Sequence, residues 1–156
     1  MTDVPIVLAS ASPRRQQLLA LTGLRFTVMR PRIDETPLAG EDPRGHVRRL
    51  SISKAAEVAA RAAPEALVIA ADTIVVHRGE ILGKPATPEE AVHMLRRLRG
   101  EVHLVHTALA VQRSDQRAVD IATTSVSMRR YADAEIAAYV ASGGLMDKAG
   151  AYAIQN

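Results

Sequence analysis

The chain has 156 residues and no cysteine, which excludes disulfides and thiolate metal sites. Its net charge is only +3 and aromatic residues make up 3% of it, whereas a nucleic-acid binder usually has a clustered basic face with stacking aromatic side chains. No apolar run reaches transmembrane length, and the N-terminus lacks the basic segment and long apolar stretch of a signal peptide. We therefore expect a cytoplasmic protein of one domain that binds neither nucleic acid nor a membrane.

A short apolar run near the N-terminus predicts a first strand, and a helix is predicted to begin at Pro13. Ser12 suits the N-cap of this helix, because proline at the first helical position loses no hydrogen bond. Arg14 and Arg15 lie in the first turn, where the helix dipole disfavours a cation by about 0.3–1 kcal/mol. Since the same helix end attracts anions, we predict that a polyphosphate binds to Ser10, Ser12 and the two arginines.

A second strand is predicted at Phe26 to Arg30, followed by a proline-containing polar loop that carries Glu35. Asp42 is then a suitable N-cap for a long helix that extends to about Ala62. Lys54 lies within the apolar stripe of this helix, on the side that should face the protein. The alternative is a lysine that buries only its aliphatic stem and keeps its ammonium group in water.

The apolar stretch from Leu67 to Val76 predicts a central strand that is buried on both faces. Asp72 interrupts it, and a buried carboxylate is costly unless it is paired. We therefore expect Asp72 to be a general base or a metal ligand, the alternative being a carboxylate that caps a strand end or turns to solvent. Glu35 becomes a candidate metal ligand if its loop meets Asp72, since Mg²⁺ takes one or two carboxylates with substrate phosphates.

The second half of the chain predicts a helix, a long hairpin and a final helix. Their predicted bounds are Thr87 to Gly100, Val102 to Arg113 with Arg117 to Arg129, and Ala134 to Ser142 with Asp133 as the N-cap. The tail predicts a short strand at Tyr152 to Ile154. His103 and His106 are three residues apart in a strand, so they project from opposite faces and are poor joint metal ligands. Early alternation of strands and helices with a late hairpin is typical of a mixed α/β domain.

Seven short segments are informative as a set, although each of them alone is a weak signal. They are Leu8 to Arg15, Asp34-Glu35, Lys54-Ala55, Ala71 to Val75, Gly83 to Pro85, Gly100 with His103 and Thr107, and Asp147 to Gln155. In this order and spacing they resemble the Maf family of nucleoside triphosphate pyrophosphatases over essentially the whole chain. The Ser-Pro-Arg-Arg, Asp-Thr-Ile and Ile-Gln elements are similar to the branch that acts on dTTP and UTP, rather than the branch that acts on 7-methyl-GTP.

The resemblance implies an elongated mixed sheet flanked by helices, with a nucleotide-binding cleft of the Maf/ITPase-like type. It also implies hydrolysis of dTTP, UTP or modified pyrimidine nucleotides to the monophosphate and pyrophosphate, with Mg²⁺ or Mn²⁺. Asp72 matches the residue that activates water, and Glu35 and Asp72 match the metal ligands. The positions that match phosphate-binding residues are Ser10, Arg14, Arg15, Lys54 and Lys84. The positions that match residues associated with base selectivity are Arg14, Thr73 and Gln155.

The chain also departs from the family pattern at two places. Gly144-Leu145 stands where the family usually has an acidic residue, and family members continue beyond Asn156 with strands that complete the sheet. We therefore expect one pyrophosphatase domain, residues 1–156, that lacks the family's C-terminal elements, with a homodimer as one way to cover the exposed edge. Two alternatives remain open: a non-catalytic nucleotide-binding regulator of cell division, and the 7-methyl-GTP branch.

Overall fold

The computed structural model describes residues 4–153, which form a mixed α/β structure. Its strands are β1 (Ile6–Ala9), β2 (Thr27–Met29), β3 (Leu67–His77), β4 (Glu80–Leu82), β5 (Val102–Arg113) and β6 (Gln116–Ser127). Its helices are α1 (Pro13–Ala20), α2 (Pro43–Ala59), α3 (Pro88–Leu98) and α4 (Asp133–Ala141), with a 3-10 turn at Ala149–Ala151. Within this part of the chain, no helix is both long enough and apolar enough to cross a membrane.

The strands belong to one six-stranded sheet in the order β2-β1-β3-β5-β6, and β4 pairs with β3 off this path. β1 runs parallel to both of its neighbours, and the register places Leu8 between Val28 and Ile69. β4 runs antiparallel to the end of β3, with Ile81 opposite Val76. β3 is therefore a central strand, as its apolar sequence predicts, and the predicted mixed α/β class is confirmed.

The described residues divide into two compact units, and β3, β5 and β6 each contribute to both. The first unit runs to Asp72 and includes Thr107–Ala122, and the second comprises Thr73–His106 and the residues from Thr123 onward. The boundary on β3 falls directly after Asp72, so that this carboxylate belongs to the first unit. Whether the chain acts as the single domain expected from the sequence stays a prediction.

The core of the first unit packs α2 against the sheet. Asp42 is the N-cap of α2 as predicted, and its carboxylate accepts hydrogen bonds from the backbone N–H groups of Arg44 and Gly45, both at 3.0 Å. The core side chains are mostly valine and alanine; they are Val7, Ala9, Ala55, Val58, Ala66, Val68, Ala70 and Ala110. Because these side chains are small, α2 can approach β1 and β3 closely, and polar groups in its inward stripe are buried as well.

The core of the second unit packs α3 against α4 and the tail. The apolar face of α3 is buried, and it contacts Ile136, Leu145 and Ala151. Thr87 is the N-cap of α3, and its hydroxyl accepts a hydrogen bond from the backbone N–H of Glu90 at 3.2 Å. This bond is the N-cap half of a capping box.

Two predictions about the second unit are wrong in detail. Asp133 is not the N-cap of α4 but its first residue, because its carboxylate accepts hydrogen bonds from Arg96 and Arg99 instead of capping the helix. The N-cap is Ala132, whose backbone N–H donates to the Glu135 carboxylate at 2.8 Å. The predicted last strand is also absent at residues 152 and 153, which follow the 3-10 turn, and its end lies outside the described residues.

Burial in α2 can be tested with two leucines. Leu50 is 2% exposed on α2, whereas Leu18 on α1 is 59% exposed. We expect Leu50→Ala to lower the free energy of unfolding by about 2–5 kcal/mol, because the substitution leaves a cavity. The matched Leu18→Ala variant should change it by less than about 0.5 kcal/mol. Equilibrium unfolding in urea measures both values, and similar losses in the two variants would show that α2 does not carry the core.

Candidate functional site

β3 places a carboxylate inside the first unit. Side chains alternate along a strand, so Asp72 shares a face with Val68 and Ala70, the face that packs on α2. Asp72 is 6% exposed and lies within the strand rather than at its end. The alternative of a strand cap or a solvent-facing bulge is therefore wrong, and the carboxylate requires a partner inside the protein.

Lys54 on α2 is that partner. Its Nζ donates a hydrogen bond to Asp72 Oδ1 at 2.6 Å, and it lies 2.9 Å from Glu35 Oε1. The Lys54 side chain is only 6% exposed, so its ammonium group is not in water and the alternative of a buried stem alone is wrong. The condition set for Glu35, that its loop meets the Asp72 strand, is fulfilled through this one ammonium group.

Arg15 on α1 belongs to the same cluster. Burial lowers the pKa of Arg15 below its ordinary value, and the charge of Arg14 adds a smaller decrease, while the carboxylates of Asp72 and Glu35 oppose both. Arginine remains protonated despite such a shift. The charges of Arg15 and Lys54 therefore both act on these two carboxylates, and all four residues come from different segments of the first unit.

Ser10 holds the turn between β1 and α1. Its hydroxyl oxygen accepts a hydrogen bond from the backbone N–H of Ser12 at 3.0 Å, and the residue is 2% exposed. Ser12 occupies the predicted N-cap position, but its side chain makes no capping hydrogen bond. Because β1 pairs in parallel with the Leu67–Ala70 part of β3, the turn and Asp72 both follow the carboxyl end of that pairing. Ligands commonly bind at this edge of parallel sheets.

Of the two neighbouring acidic residues in the loop before α2, only Glu35 contacts Lys54. Asp34 Oδ1 instead accepts hydrogen bonds from the backbone N–H and the hydroxyl of Thr36, at 2.9 and 2.6 Å. These two bonds are the main causes that lower the pKa of Asp34. Asp34 therefore stabilises the backbone of its own loop, whereas Glu35 contacts Lys54.

The two carboxylates on Lys54 suit a hard divalent cation. Mg²⁺ and Mn²⁺ prefer oxygen ligands and commonly use one or two carboxylates, with phosphate and water oxygens completing the shell. Within residues 4–153 no three His, Cys, Asp or Glu side chains are grouped closely enough to hold a metal by themselves. Glu35 and Asp72 thus fit a cation that is shared with a phosphate ligand, rather than one enclosed by protein groups alone.

In the second unit, the predicted phosphate-binding Lys84 lies on an exposed segment after β4. The residue before it, Gly83, accepts a hydrogen bond at its carbonyl oxygen from the backbone N–H of Gly150, at 3.0 Å. Gly150 has φ +69°, and a Cβ there would lie 3.2 Å from both methyl groups of Val75. The tail is therefore tied to the Lys84 segment at a position where only glycine fits without strain. Gln155, a predicted selectivity residue, lies outside the described residues.

Tyr152 fixes the same tail to β5. Its hydroxyl is 2.6 Å from His103 Nε2, and the two rings meet edge to face at 5.4 Å between centroids. Burial lowers the pKa of His103 and raises the pKa of Tyr152, so both groups are neutral at neutral pH. His106 has another partner, since its Nδ1 lies 2.9 Å from Thr123 Oγ1. The two histidines thus hold separate parts of the second unit.

Sequence reasoning missed two groups that organise these segments. One is Gly150, which lies within the Asp147-to-Gln155 segment but was given no role of its own there. The other is an ion pair between Glu41 and Arg49 beside the Glu35 loop. Its members are eight positions apart, beyond the i,i+3 and i,i+4 pairs of a helix, and Glu41 precedes α2, so no local pattern predicts it. Of the other two selectivity candidates, Arg14 lies in the first turn of α1, and Thr73 follows Asp72 on β3 and projects from the opposite face.

The sequence is similar to proteins of known activity. A family model described as Maf-like protein matches residues 5–156. The dTTP/UTP pyrophosphatase of Thermomicrobium roseum is 52% identical over 152 residues, which are 97% of this chain and 69% of that protein. The dTTP/UTP pyrophosphatase of Myxococcus xanthus is 49% identical over 150 residues, which are 96% of this chain and 76% of that protein.

Solved structures share the fold at low sequence identity. The Staphylococcus aureus Ham1 protein aligns with a TM-score of 0.53 and 18% identity, over 79% of this chain and 71% of that one. A nucleoside-triphosphatase described as a dITP/XTP pyrophosphatase, from Mycobacterium abscessus, aligns with a TM-score of 0.51 and 14% identity, over 80% and 72% of the two chains. At such identities the likeness concerns the fold alone, and it confirms the predicted fold type.

The buried ion pair between Lys54 and Asp72 can be tested by its effect on the free energy of unfolding. We expect Lys54→Met to lower the free energy of unfolding by about 3–5 kcal/mol, because Asp72 then stays buried without its ammonium partner. The double variant Lys54→Met with Asp72→Leu should recover most of that loss, since no unpaired charge remains between α2 and β3. Urea unfolding of both variants measures the difference. A double variant no more stable than Lys54→Met would mean that the loss of stability does not come from the unpaired Asp72 carboxylate.

The tail contact can be isolated with two glycines of similar backbone conformation. Gly150 and Gly143 have φ +69° and +76°, but a Cβ at Gly143 would meet nothing within 4 Å. Each alanine substitution costs about 1–2 kcal/mol for the left-handed backbone. We expect Gly150→Ala to cost at least about 1 kcal/mol more than Gly143→Ala, because its Cβ presses on Val75. Equal shifts in thermal unfolding would show that this close approach is not important.

Proposed function

The chain belongs to the Maf-like protein family, and on this premise we propose that it hydrolyses nucleoside triphosphates to the monophosphate and pyrophosphate. The substrates we propose are dTTP and UTP, which are named for its relatives. Modified pyrimidine nucleotides are further candidates, since they share the phosphates and the pyrimidine ring.

The observation that supports this proposal most directly is the cluster of Lys54, Asp72, Glu35 and Arg15. Hydrolysis at the α-phosphorus builds negative charge on the phosphoryl oxygens and on the departing pyrophosphate. Lysine and arginine side chains held in place before the reaction stabilise that charge without reorganisation. The cluster combines such cations with a buried carboxylate at 2.6 Å from Lys54 Nζ, so that one place offers both charge stabilisation and a proton acceptor.

In the proposed reaction the Asp72 carboxylate accepts a proton from the attacking water. The water oxygen forms a bond to the α-phosphorus, and the bond from this phosphorus to the oxygen that bridges to the β-phosphorus breaks. The electron pair of that bond stays on pyrophosphate, which leaves as an anion. Lys54 contributes by holding Asp72 in one orientation, because its hydrogen bond joins a rigid helix to a rigid strand.

Glu35 and Asp72 are the residues that would hold Mg²⁺ or Mn²⁺. When bound, such an ion would neutralise negative charge on the phosphate oxygens. We propose that the polyphosphate also contacts Ser10, Arg14, Arg15, Lys54 and Lys84. For selection of the base we propose Arg14, Thr73 and Gln155. A cytoplasmic location, a homodimer, and a nucleotide rather than a nucleic acid as ligand complete the proposal.

The test is pyrophosphate release from a panel of nucleoside triphosphates, with and without Mg²⁺ or Mn²⁺. We expect dTTP and UTP to be hydrolysed with a higher kcat/KM than 7-methyl-GTP, and only with the metal. Asp72→Asn should lower kcat by about 10²–10⁴-fold, the usual contribution of a general base. Asp115→Asn, in the exposed turn between β5 and β6, is the matched control and should retain full activity.

Three results would count against the proposal. Equal rates for the unsubstituted chain and Asp72→Asn would remove Asp72 as the base. A preference for 7-methyl-GTP would assign the chain to the other branch. Nucleotide binding by calorimetry without any turnover would support a non-catalytic, nucleotide-binding regulator.

A further inference from the structure

We propose that Arg49 is a positioning residue that sets the place of Glu35, by holding the loop of residues 34–41 against α2. This inference rests on the proposed function, in which Glu35 is a metal ligand. Arg49 itself lies on α2, five residues before Lys54, and has no assigned role in the reaction. It acts on Glu35 through the backbone of the loop.

The Arg49 guanidinium joins the loop at two points. Its Nε and Nη2 donate to Glu41 Oε1 and Oε2 at 2.6 and 2.8 Å, which is a two-pronged pair with a fixed geometry. Its Nη2 also donates to the carbonyl oxygen of Thr36 at 3.1 Å. Thr36 follows Glu35 directly, so Arg49 holds the peptide next to the proposed ligand.

Glu41 completes the attachment from the other side. Its Oε2 accepts a hydrogen bond from the backbone N–H of Leu38 at 3.1 Å and lies 2.9 Å from His46 Nδ1. The Glu41 side chain is 11% exposed. The hydrogen bonds that Arg49 donates are the largest of the causes that hold the pKa of Glu41 far below its usual range. Glu41 therefore stays charged down to low pH, and its contacts with the Leu38 backbone and with Arg49, which binds the Thr36 carbonyl, are kept.

Glu35 needs such a hold because it is not fixed by burial. Its side chain is 51% exposed and reaches Lys54 Nζ at 2.9 Å from an irregular loop. Because the Glu35 carboxylate is half exposed to solvent, this one ion pair does not by itself order the loop. Since Arg49 and Lys54 lie on the same helix, α2 supplies both the group that Glu35 contacts and the group that holds its loop. Residues that orient a metal ligand in this way typically contribute about 10–100-fold to metal affinity or activity.

The experiment uses Arg49→Gln, Arg49→Lys and the control Arg48→Gln, which removes an exposed arginine from the preceding position of α2. The first measurement is amide hydrogen exchange of the protein without metal or nucleotide. We expect Arg49→Gln to accelerate exchange at Thr36 and Leu38 by about tenfold or more, with unchanged exchange in the middle of α2. Arg49→Lys keeps the charge without the two-pronged pair, so it should give an intermediate effect. Arg48→Gln should have none.

The second measurement separates positioning from a general loss of structure. We expect Arg49→Gln to lower kcat/KM for dTTP by about 10–100-fold and to raise the Mg²⁺ concentration needed for half-maximal activity. In a Glu35→Gln background, with single-turnover measurements, the same substitution should lower activity by less than about twofold, because the residue it positions is already changed. A purely structural role would produce equal losses in both backgrounds.

The outcomes separate this inference from the proposed function. Unchanged exchange at Thr36 and Leu38 in Arg49→Gln overturns the inference, whatever the activity. Equal losses of activity in both backgrounds also overturn it. If the unsubstituted chain hydrolyses no nucleotide, the proposed function fails, and faster loop exchange still supports Arg49 as the residue that holds the Glu35 loop. If Arg49→Gln does not fold, Arg49→Lys decides by the same exchange measurement.

Discussion

The hydrogen bond between Lys54 and Asp72 is the constraint on which the first unit depends. It places two charged groups inside an apolar contact, 2.6 Å apart, where each would be costly without the other. Small neighbours such as Ala55 and Ala70 allow helix and strand to come this close. Replacing a buried ion pair by a well-packed hydrophobic pair is often neutral or stabilising, so the reaction proposed above accounts for this pair better than folding does.

The α2 helix organises the site at two levels. Lys54, in its middle, contacts the carboxylates directly, while Arg49, nearer its beginning, holds the backbone of the loop that presents Glu35. A helix is suited to this because residues five positions apart keep a constant separation along and around its axis. The exposed Glu35 carboxylate is therefore placed by a rigid helix, α2, through the contacts of Arg49 with the backbone of its loop.

The second unit shows the same use of backbone contacts around functional candidates. Gly83, next to Lys84, is tied to Gly150, and Tyr152 is tied to buried His103. These bonds fix an exposed segment and the tail to strands of the sheet. The glycine is needed because its φ is positive and a Cβ would press on a strand residue. In this unit Lys84, which is proposed to contact the ligand, is exposed, whereas Gly150 and His103, which hold the segments around it, are buried.

The sequence by itself determined the local features: the inward stripe of α2 that contains Lys54, the apolar strand around Asp72, and the turn from β1 to α1 at Ser12. Each follows from periodicity or capping within a few residues, and such signals survive in almost any tertiary context. It also placed Asp133 as a helix cap, and there tertiary contacts prevailed, because Arg96 and Arg99 compete for the same carboxylate. Only the tertiary structure decided which distant groups meet. The contact of Lys54 with Asp72 and the contacts of Arg49 with the Glu35 loop both depend on how closely α2 packs on the sheet. That distance is set by the packing of many side chains from several segments, so no single segment of sequence encodes it.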